Sequence, residues 1–472
     1  FNSVVVKTAP VSASDGPMAL GGAIEITSKS LDRITSLNDP TFLNTNLSYG
    51  SANDSFGAAA TYARRMDEKV LFVGFGSYRA SDDYSDGNGN EVPLSALDSL
   101  SAYGKIQYDP SGRHRFDVSV QFSENNGLLP YGAGDFPPEF FLDRYAQGRA
   151  GGGPVEQTLQ ELSVSARYAG SAESDPRAVL FYSDSNLTNE ETNAIFSQIR
   201  YGGRVSKRLG TQIGLASADF LIGIDSRLER TKAEFNPETT SRFEGDDASN
   251  DSVTVGVFSD TTLELGRFDF RAGLRVDYID FEFGSRSFDS IETSPSLRAN
   301  FELLPGLQVF GGYGVSYRST NTLPANRANR FAPSTVFPSA DLETEKALQK
   351  SIGARFAKKN ILGSNSHLTA SVERFNIDLS NAIIFAEGRP GAPFAEIRNS
   401  SGDFTSRGVS ASLRLSGDRY STSLAYGHVE LDDPDGHPVS TIRNIAAARG
   451  DRIRWDTQYQ LLNNLKFGYT LT

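Results

Sequence analysis

The chain has 472 residues and a formal charge of −12, with 46 basic and 58 acidic side chains. A nucleic-acid binder needs a basic face, so this balance argues against a nucleic-acid partner. The chain has no cysteine and only four histidines, which excludes disulfides and thiolate metal sites and disfavours a multi-histidine metal centre.

The N-terminal stretch lacks the pattern of the strands that follow it. Residues 4–7 predict a short strand. Gly16, Gly21 and Gly22 then predict a tight turn into a second β run at residues 23–27. The first residues also lack the charged start and apolar core of a signal peptide. Either the protein is cytosolic or residue 1 is not its natural beginning, and the strand pattern described next favours the second interpretation.

From about residue 42 onwards, apolar residues alternate with polar or small ones at a period of two, which is typical of strands with one apolar face. In residues 268–278, for example, every even position is apolar or aromatic and every odd position is Asp, Arg or Gly. The pattern predicts about nineteen strands. Their approximate spans are 42–50, 55–65, 70–81, 100–109, 114–125, 158–169, 177–187, 197–207, 217–231, 251–264, 267–282, 293–303, 307–318, 344–357, 366–380, 398–416, 418–430, 450–461 and 465–472.

The connections between these strands alternate between short turns and long polar loops. Such alternation is typical of an up-and-down barrel in the outer membrane, with tight turns towards the periplasm and long loops outside. Strands of nine to eleven residues also fit a membrane crossing. A soluble sandwich would need fewer strands, and a propeller would show repeats of about 40–50 residues. The pattern therefore favours an all-β, antiparallel transmembrane β-barrel.

Charged residues on the polar faces are expected to line the lumen, because burying them in lipid would be prohibitive. A barrel of eighteen or more strands has a bore too wide for side chains to fill, so it is either open or plugged. Tyrosines near strand ends are expected to form girdles at the membrane interfaces. The predicted lumen charges are Arg167, Asp269, Arg271, Arg275, Asp277, Arg298, Glu302, Arg355 and Arg414.

Five segments resemble, in order and spacing, motifs of the TonB-dependent outer-membrane receptors. The first has Gly16, Gly21 and Gly22 where that family has the glycines at the end of its plug domain. The other four resemble strand ends and strand openings of the family's barrel. They are residues 313–318, 342–356, 375–384 and 398–409.

The resemblance implies a twenty-two-stranded barrel closed by a plug. It divides the chain into residues 1–38, the end of the plug and its link, and residues 39–472, the barrel. About nineteen strands are predicted here, so we expect the last three strands, most of the plug and the TonB box to lie outside this sequence. The chain is then expected to be an internal segment of a longer receptor in a Gram-negative outer membrane.

The function implied by the resemblance is active uptake of a ferric siderophore or a similar bulky iron chelate, driven by the TonB–ExbB–ExbD complex acting on the plug. The expected partners are that complex, the ligand and outer-membrane lipid, with no cofactor. Arginines and tyrosines at the outer mouth would attract an anionic chelate. The predicted ligand-binding residues are Tyr131, Arg144, Arg318, Arg327 and Arg330.

Other ligands and functions stay open at this point. Haem, cobalamin or an oligosaccharide is an alternative ligand, although residues 319–343 lack the histidine that haem receptors carry there. A passive diffusion porin is a further alternative, which the plug-like residues 1–30 disfavour. The chain has no Gly-x-Ser-x-Gly or His-Glu-x-x-His motif, so no enzyme activity is predicted.

Two polar loops have some resemblance to metal-binding loops, but no metal site is predicted. Residues 86–90 place oxygen ligands at alternate positions, as at the start of a calcium loop. Glu91 and Leu97 stand where such a loop needs a glycine and a closing acid. Residues 432–437 have similarly weak metal potential.

Overall fold

A computed structural model defines most of the chain. The residues it describes are 3–8, 12–16, 22–27, 35, 39–51, 53–85, 89, 91, 95–130, 154–171, 175–189, 194–234, 248–283, 286–318, 336–361, 363, 365–386, 395–439, 441–442, 446–447, 449–462 and 465–472.

These residues form strands almost throughout. The strands are β1 (Ser3–Thr8), β2 (Gly22–Thr27), β3 (Thr41–Gly50), β4 (Ser55–Arg65), β5 (Val70–Ser81), β6 (Leu97–Tyr108), β7 (Arg115–Pro130), β8 (Pro154–Ala169), β9 (Pro176–Asn189), β10 (Ala194–Ile213), β11 (Ala216–Glu234), β12 (Ala248–Leu265), β13 (Phe268–Phe283), β14 (Arg286–Leu304), β15 (Leu307–Arg318), β16 (Val336–Pro338), β17 (Glu345–Lys359), β18 (His367–Ser380), β19 (Ile383–Ala386), β20 (Ala395–Asn399), β21 (Phe404–Ser416), β22 (Tyr420–Asp432), β23 (Thr441–Ile442), β24 (Ala446–Ala447), β25 (Arg449–Leu462) and β26 (Leu465–Leu471).

Nineteen of these strands form one closed barrel, which confirms the predicted fold class and strand number. Every barrel strand pairs antiparallel with the next barrel strand along the chain. The sheet order brings β26 next to β3 and closes the barrel. Because the number of barrel strands is odd, β3 and β26 run in the same direction across the membrane.

The observed strand bounds follow the predicted spans closely, with two differences. The predicted strand 398–416 is two strands, because β20 leaves the barrel and pairs with β16 and β19 before β21 begins. The outer connection between β13 and β14 is a hairpin with Phe283 opposite Arg286, not a ten-residue loop. Strands therefore continue beyond the apolar band into polar sequence, where the period-two signal weakens.

The large apolar side chains are on the outside of the barrel, whereas a soluble protein buries them in its core. Leu274 is 51% exposed, whereas Arg275, its neighbour on β13, is 2% exposed. Tyr168 and Tyr317 are not among the exposed large side chains, but the seven other tyrosines that we expected in the interfacial girdles are. They are Tyr49, Tyr62, Tyr78, Tyr108, Tyr313, Tyr426 and Tyr469. Outward apolar side chains meet lipid, and inward polar ones line the lumen.

Within the part of the chain that the structure describes, no helix is long and apolar enough to cross a membrane.

Three small sheets lie outside the barrel, namely β1–β2, β16–β20–β19 and β23–β24, and the first two bear on function. β1 and β2 pair antiparallel, with Ser3 opposite Thr27, and a short 3-10 helix at Ala13–Asp15 lies between them in sequence. A second sheet joins β16, β20 and β19. β19 follows the outer end of β18, so this sheet lies at the outer end of the barrel.

Candidate functional site

The inner wall carries the charged residues that the alternation predicted. The nine predicted lumen charges all fall on the strand face opposite the exposed apolar side chains, as the ladder registers require. Four of them, Asp269, Arg271, Arg275 and Asp277, form ion pairs with residues of opposite sign. Lys105, a further inward charge, lies 3.6 Å from Asp117 on the neighbouring strand. The lumen is therefore lined by paired charges rather than by one sign.

Arg275 is the centre of the most buried ion-pair group on this wall. Its Nε donates to both carboxylate oxygens of Asp277 at 2.8 Å. Its Nη1 and Nη2 donate to Asp225 at 2.9 and 2.6 Å, in the two-pronged geometry that suits guanidinium and carboxylate. A Cβ at Gly256 would collide with the guanidinium of Arg275. Glycine at this position therefore makes the room that the arginine occupies.

The short 3-10 helix at Ala13–Asp15 binds to this same wall. The backbone N–H groups of Ala13 and Ser14 donate to the two carboxylate oxygens of Asp260, at 3.2 and 2.7 Å. Arg204 donates to the carbonyl of Ser14 at 2.5 Å, and its guanidinium lies 4.2 Å from the ring centre of Phe258. Asp260, Arg204 and Phe258 all face the lumen, so this segment lies inside the barrel.

The segment is held in its own compact shape before the chain turns away. Ser12 N–H donates to the carboxylate of Asp15 at 2.9 Å, and Asp15 N–H donates back to the carbonyl of Ser12 at 3.0 Å. Gly16 follows with φ of 104°, a backbone conformation that side-chain-bearing residues rarely adopt. This glycine was predicted from the motif, and the turn it makes explains why glycine is needed there. Gly22 begins β2, and Gly21 lies outside the described residues.

Glu229 forms a second buried group, on the outer half of β10 and β11. Its side chain is 2% exposed and accepts from Arg227 at 2.5 Å and Arg200 at 3.1 Å. The amide of Gln198 donates to its other oxygen at 2.8 Å. Two arginines thus pair with one buried acid here.

Arg318, a predicted ligand-binding residue, lies at the outer end of β15. Its Nε donates to Glu345 at 2.5 Å, and Glu345 has a side chain that is 2% exposed. The other oxygen of Glu345 accepts the N–H of Ile383 at 2.8 Å. Arg318 thus helps to hold the outer ends of β15, β17 and β19 together. Its part in ligand binding stays a prediction.

An asparagine ties the small outer sheet to the barrel rim. The side chain of Asn399 accepts from the N–H of Glu343 at 2.8 Å and donates to the carbonyls of Glu343 and Asn381 at 2.9 and 2.7 Å. Asn381 in turn donates to the carboxylate of Glu343 at 2.7 Å. This network gives a physical reason for the asparagine in the motif at residues 398–409.

A cavity of about 270 Å³ opens beside this network. The ladder between β14 and β15 spans only the inner half of β14 and stops at the pair Ser296–Gly314. The next residue towards the outside is Pro295, which has no N–H to donate. Phe281, Phe288 and charged residues such as Glu292 line the cavity.

The other predicted ligand-binding residues, Tyr131, Arg144, Arg327 and Arg330, lie outside the described residues, as does most of the calcium-like run at 86–90. The site instead contains residues that the sequence analysis did not single out, namely Arg204, Asp225, Glu229, Asp260 and Glu345. Their signal in the sequence was a charge at an inward position of a strand. That signal is shared with many other residues, and only the fold selects among them.

The β-barrel model of the TonB-dependent receptor-like family matches residues 30–471. The chain belongs to the TonB-dependent receptor-like β-barrel family. It is accordingly an outer-membrane protein, and the family consists of transporters rather than enzymes, as predicted. A search of curated protein sequences found no match.

Solved structures of TonB-dependent receptors have the same fold at low sequence identity. The iron transporter FrpB of Neisseria meningitidis is 15% identical, with a TM-score of 0.80 over 99% of this chain and 74% of the other. The hemophore receptor HasR of Serratia marcescens is 15% identical, with a TM-score of 0.77 over 99% and 78%. The siderophore receptor PirA of Acinetobacter baumannii is 14% identical, with a TM-score of 0.73 over 99% and 72%. At these identities the likeness establishes the fold alone.

Proposed function

We propose that this TonB-dependent receptor takes up a ferric siderophore or a similar bulky iron chelate. Family membership implies binding of an outside ligand and energy coupling through TonB. An iron transporter and a siderophore receptor are among the proteins of the same fold. A ferric chelate is too large for a side-chain-lined pore of ordinary width and often carries negative charge, so it needs a wide, gated barrel with cations at its mouth.

The observation that carries this proposal is the segment at residues 12–16 bound to the lumen wall through Asp260 and Arg204. We infer that residues 1–38 are the end of a plug domain and its link to the barrel. A lumen that holds a bound segment is suited to import by rearrangement, not to free diffusion. This disfavours the passive porin.

Ligand contacts are assigned to the outer mouth. Tyr131, Arg144, Arg327 and Arg330 supply the aromatic and cationic chemistry that an anionic iron chelate requires. Arg318 stands at the base of the same mouth, but its guanidinium already pairs with Glu345. We therefore propose that Tyr131, Arg144, Arg327 and Arg330 make the first contact with the ligand. Arg318 instead stabilises the rim of the barrel through Glu345.

The test is uptake of iron-55 by cells that lack the gene and carry it back on a plasmid. Iron-55 is supplied on hydroxamate, catecholate and carboxylate siderophores in separate arms, under iron limitation. The expected result is uptake of at least one chelate that disappears both without the gene and without TonB. Uptake of haem, cobalamin or an oligosaccharide in place of every ferric chelate would contradict the iron proposal but leave the receptor class standing.

A further inference from the structure

Residues 431–439, which include the last two residues of β22, form a tight loop at the outer end of the barrel, and we call it the β22 loop. Val439 N–H donates to the carbonyl of Leu431 at 2.8 Å, and Asp433 N–H donates to the carbonyl of His437 at 2.9 Å. Asp432 and Pro438 form an antiparallel bridge. Gly436 adopts φ of 81°, which lets the chain reverse there. The loop is thus closed by hydrogen bonds between its own backbone groups.

Three side chains of the β22 loop bring metal-ligating atoms together. A carboxylate oxygen of Asp433, one of Asp435 and a ring nitrogen of His437 all lie within 4.8 Å of one another. A tetrahedral ion that binds its ligand atoms at about 2.0–2.2 Å holds them roughly 3.3–3.6 Å apart. Movements of about 1 Å by these side chains would therefore place all three atoms on a single ion.

The backbone orients one of these ligands. Asp433 Oδ1 accepts the N–H groups of Asp435 and His437, at 3.0 and 2.8 Å. Its Oδ2 lies 3.6 Å from His437 Nδ1. The His437 side chain is 75% exposed, so the imidazole has room to turn towards an ion.

The charges of the loop are only partly compensated by the protein. Asp432 pairs with Arg407 on the neighbouring strand. Among the described residues, no lysine or arginine lies within ion-pair distance of Asp433 or Asp435, and His437 is the one basic group beside them. Two carboxylates with one imidazole beside them form a negatively charged group that a divalent cation would balance.

We propose that the β22 loop binds one divalent transition-metal ion, of the class of Zn²⁺, through Asp433, Asp435 and His437. One nitrogen and two oxygen ligands with open positions for water suit such an ion, because imidazole is a good ligand for first-row transition metals. Ca²⁺ prefers six to eight oxygen ligands, which this loop lacks. The site lies on the rim, apart from the lumen, and does not depend on the proposed uptake function.

The test uses the whole protein folded in detergent micelles and titrated with Zn²⁺ in a calorimeter. We expect one saturable site. Asp435→Asn and His437→Gln each remove one ligand without removing a backbone hydrogen bond of the loop, and each is expected to weaken Zn²⁺ binding at least about tenfold. With Cu²⁺ as the probe, nitrogen coupling in the electron paramagnetic resonance spectrum is expected for the wild type and not for His437→Gln.

His428→Gln is the matched control. His428 also lies between two acids, at 3.1 Å from Asp451 and 3.4 Å from Glu430, but it is on β22 and outside the loop. Its replacement is expected to leave Zn²⁺ affinity unchanged, and heat-dependent gel mobility verifies that each variant is folded. The proposal is overturned if the wild type binds no Zn²⁺ saturably, if it binds Ca²⁺ in preference, or if His437→Gln binds Zn²⁺ as the wild type does.

Discussion

Arg275 illustrates how a charged residue is accommodated in the wall of a membrane barrel. Its guanidinium is almost fully buried, yet each of its three nitrogens donates to a carboxylate of Asp225 or Asp277. A buried charge is costly unless it is paired and hydrogen-bonded. Such a group stabilises the fold only when all its members are present, because removal of one member leaves the charge of the others uncompensated.

Replacing Arg275 with Met is therefore expected to destabilise the barrel by about 3–5 kcal/mol, because two carboxylates would be left unpaired in a buried place. Arg271→Met is the control on the same strand and face. Arg271 is 62% exposed, and its loss is expected to cost less than about 1 kcal/mol. Urea unfolding in lipid vesicles measures both, and equal effects would refute the argument.

Asp260 allows a second prediction at the scale of single residues. Asp260→Asn replaces one acceptor oxygen by an N–H₂ group, which then faces a backbone N–H of residues 13–14. Amide hydrogen exchange at Ala13 and Ser14 is expected to become about tenfold faster or more, because hydrogen bonds to a charged acceptor contribute roughly 1.5–3 kcal/mol.

Asp269→Asn is the control for this change. Asp269 faces the same lumen and lies 3.6 Å from Arg271, away from the 3-10 helix. Slow exchange at Ala13 and Ser14 should persist in Asp269→Asn. Unchanged exchange in Asp260→Asn as well would mean that the carboxylate does not hold the segment.

At the scale of elements, tight inner turns and the outer sheet are fixed by side chains that bind backbone groups. In the turn between β4 and β5, one oxygen of Asp67 accepts the N–H groups of Lys69 and Val70, both at 2.7 Å. In the outer sheet, the side chain of Asn399 hydrogen-bonds to backbone groups of Glu343 and Asn381, which lie in two different connections. Such residues end a strand, because their side chains hydrogen-bond to backbone groups that would otherwise pair with a neighbouring strand.

The Asp67 turn is expected to loosen in acid. Hydrogen bonds from the Lys69 and Val70 amides lower the pKa of Asp67 in the folded protein. The folded pKa is below the unfolded one, so this contribution is complete above the unfolded pKa of about 3.9 and is lost as the pH falls through the lowered value. Exchange at the Lys69 and Val70 amides, corrected for its intrinsic pH dependence, measures it. Asp67→Ala should remove this extra acid dependence, and its persistence would contradict the assignment.

Asn399→Ala is expected to release the outer sheet from the rim. Three hydrogen bonds to the side chain are lost, and the local stability of residues 381–386 and 395–399 should fall by about 2 kcal/mol. Exchange in these segments reports the change, while barrel unfolding is expected to stay as in the wild type. The control is Asn376→Ala, which loses one bond to Asp378 within β18. A global loss of stability in Asn399→Ala would show that the network supports the barrel itself.

In the molecule as a whole, the distribution of polarity is the opposite of that in a soluble protein, because the lumen is charged and the outer surface is apolar. Nineteen strands enclose a space that their own side chains do not fill, and residues 12–16 occupy part of it. The charged residues of the wall then have two roles. They stabilise the barrel, and they offer hydrogen-bonding groups to residues 12–16, which can be bound or released.

Removing residues 1–27 is expected to raise ion conductance through the barrel in planar lipid bilayers, because the lumen loses a bound segment. The intact chain is measured alongside, and Asp67→Ala serves as a control altered at one inner turn only. A larger number of open events in the shortened chain supports the plug assignment. Identical conductance in both chains would argue that residues 1–27 do not obstruct the lumen.

Most of the fold could be predicted from the sequence, because lipid and water on opposite faces of every strand impose a period of two. The spans 70–81 and 307–318 match the observed strands to the residue. The error at 398–416 has a physical cause, since a strand leaving the barrel keeps the same alternation as one that stays. The site was less predictable, because Asp260 and Glu229 are ordinary inward charges until their partners are known.

The all-β class, the number of strands and the lipid-facing side of each strand could be predicted from the amino-acid sequence. These properties follow from local alternation, which each strand carries independently of its neighbours. The folded barrel was needed to show which charges pair, that Asp260 and Arg204 hold residues 12–16, and that Asp433, Asp435 and His437 lie close together. Those contacts depend on strand register and loop closure, which bring together groups that no local pattern relates.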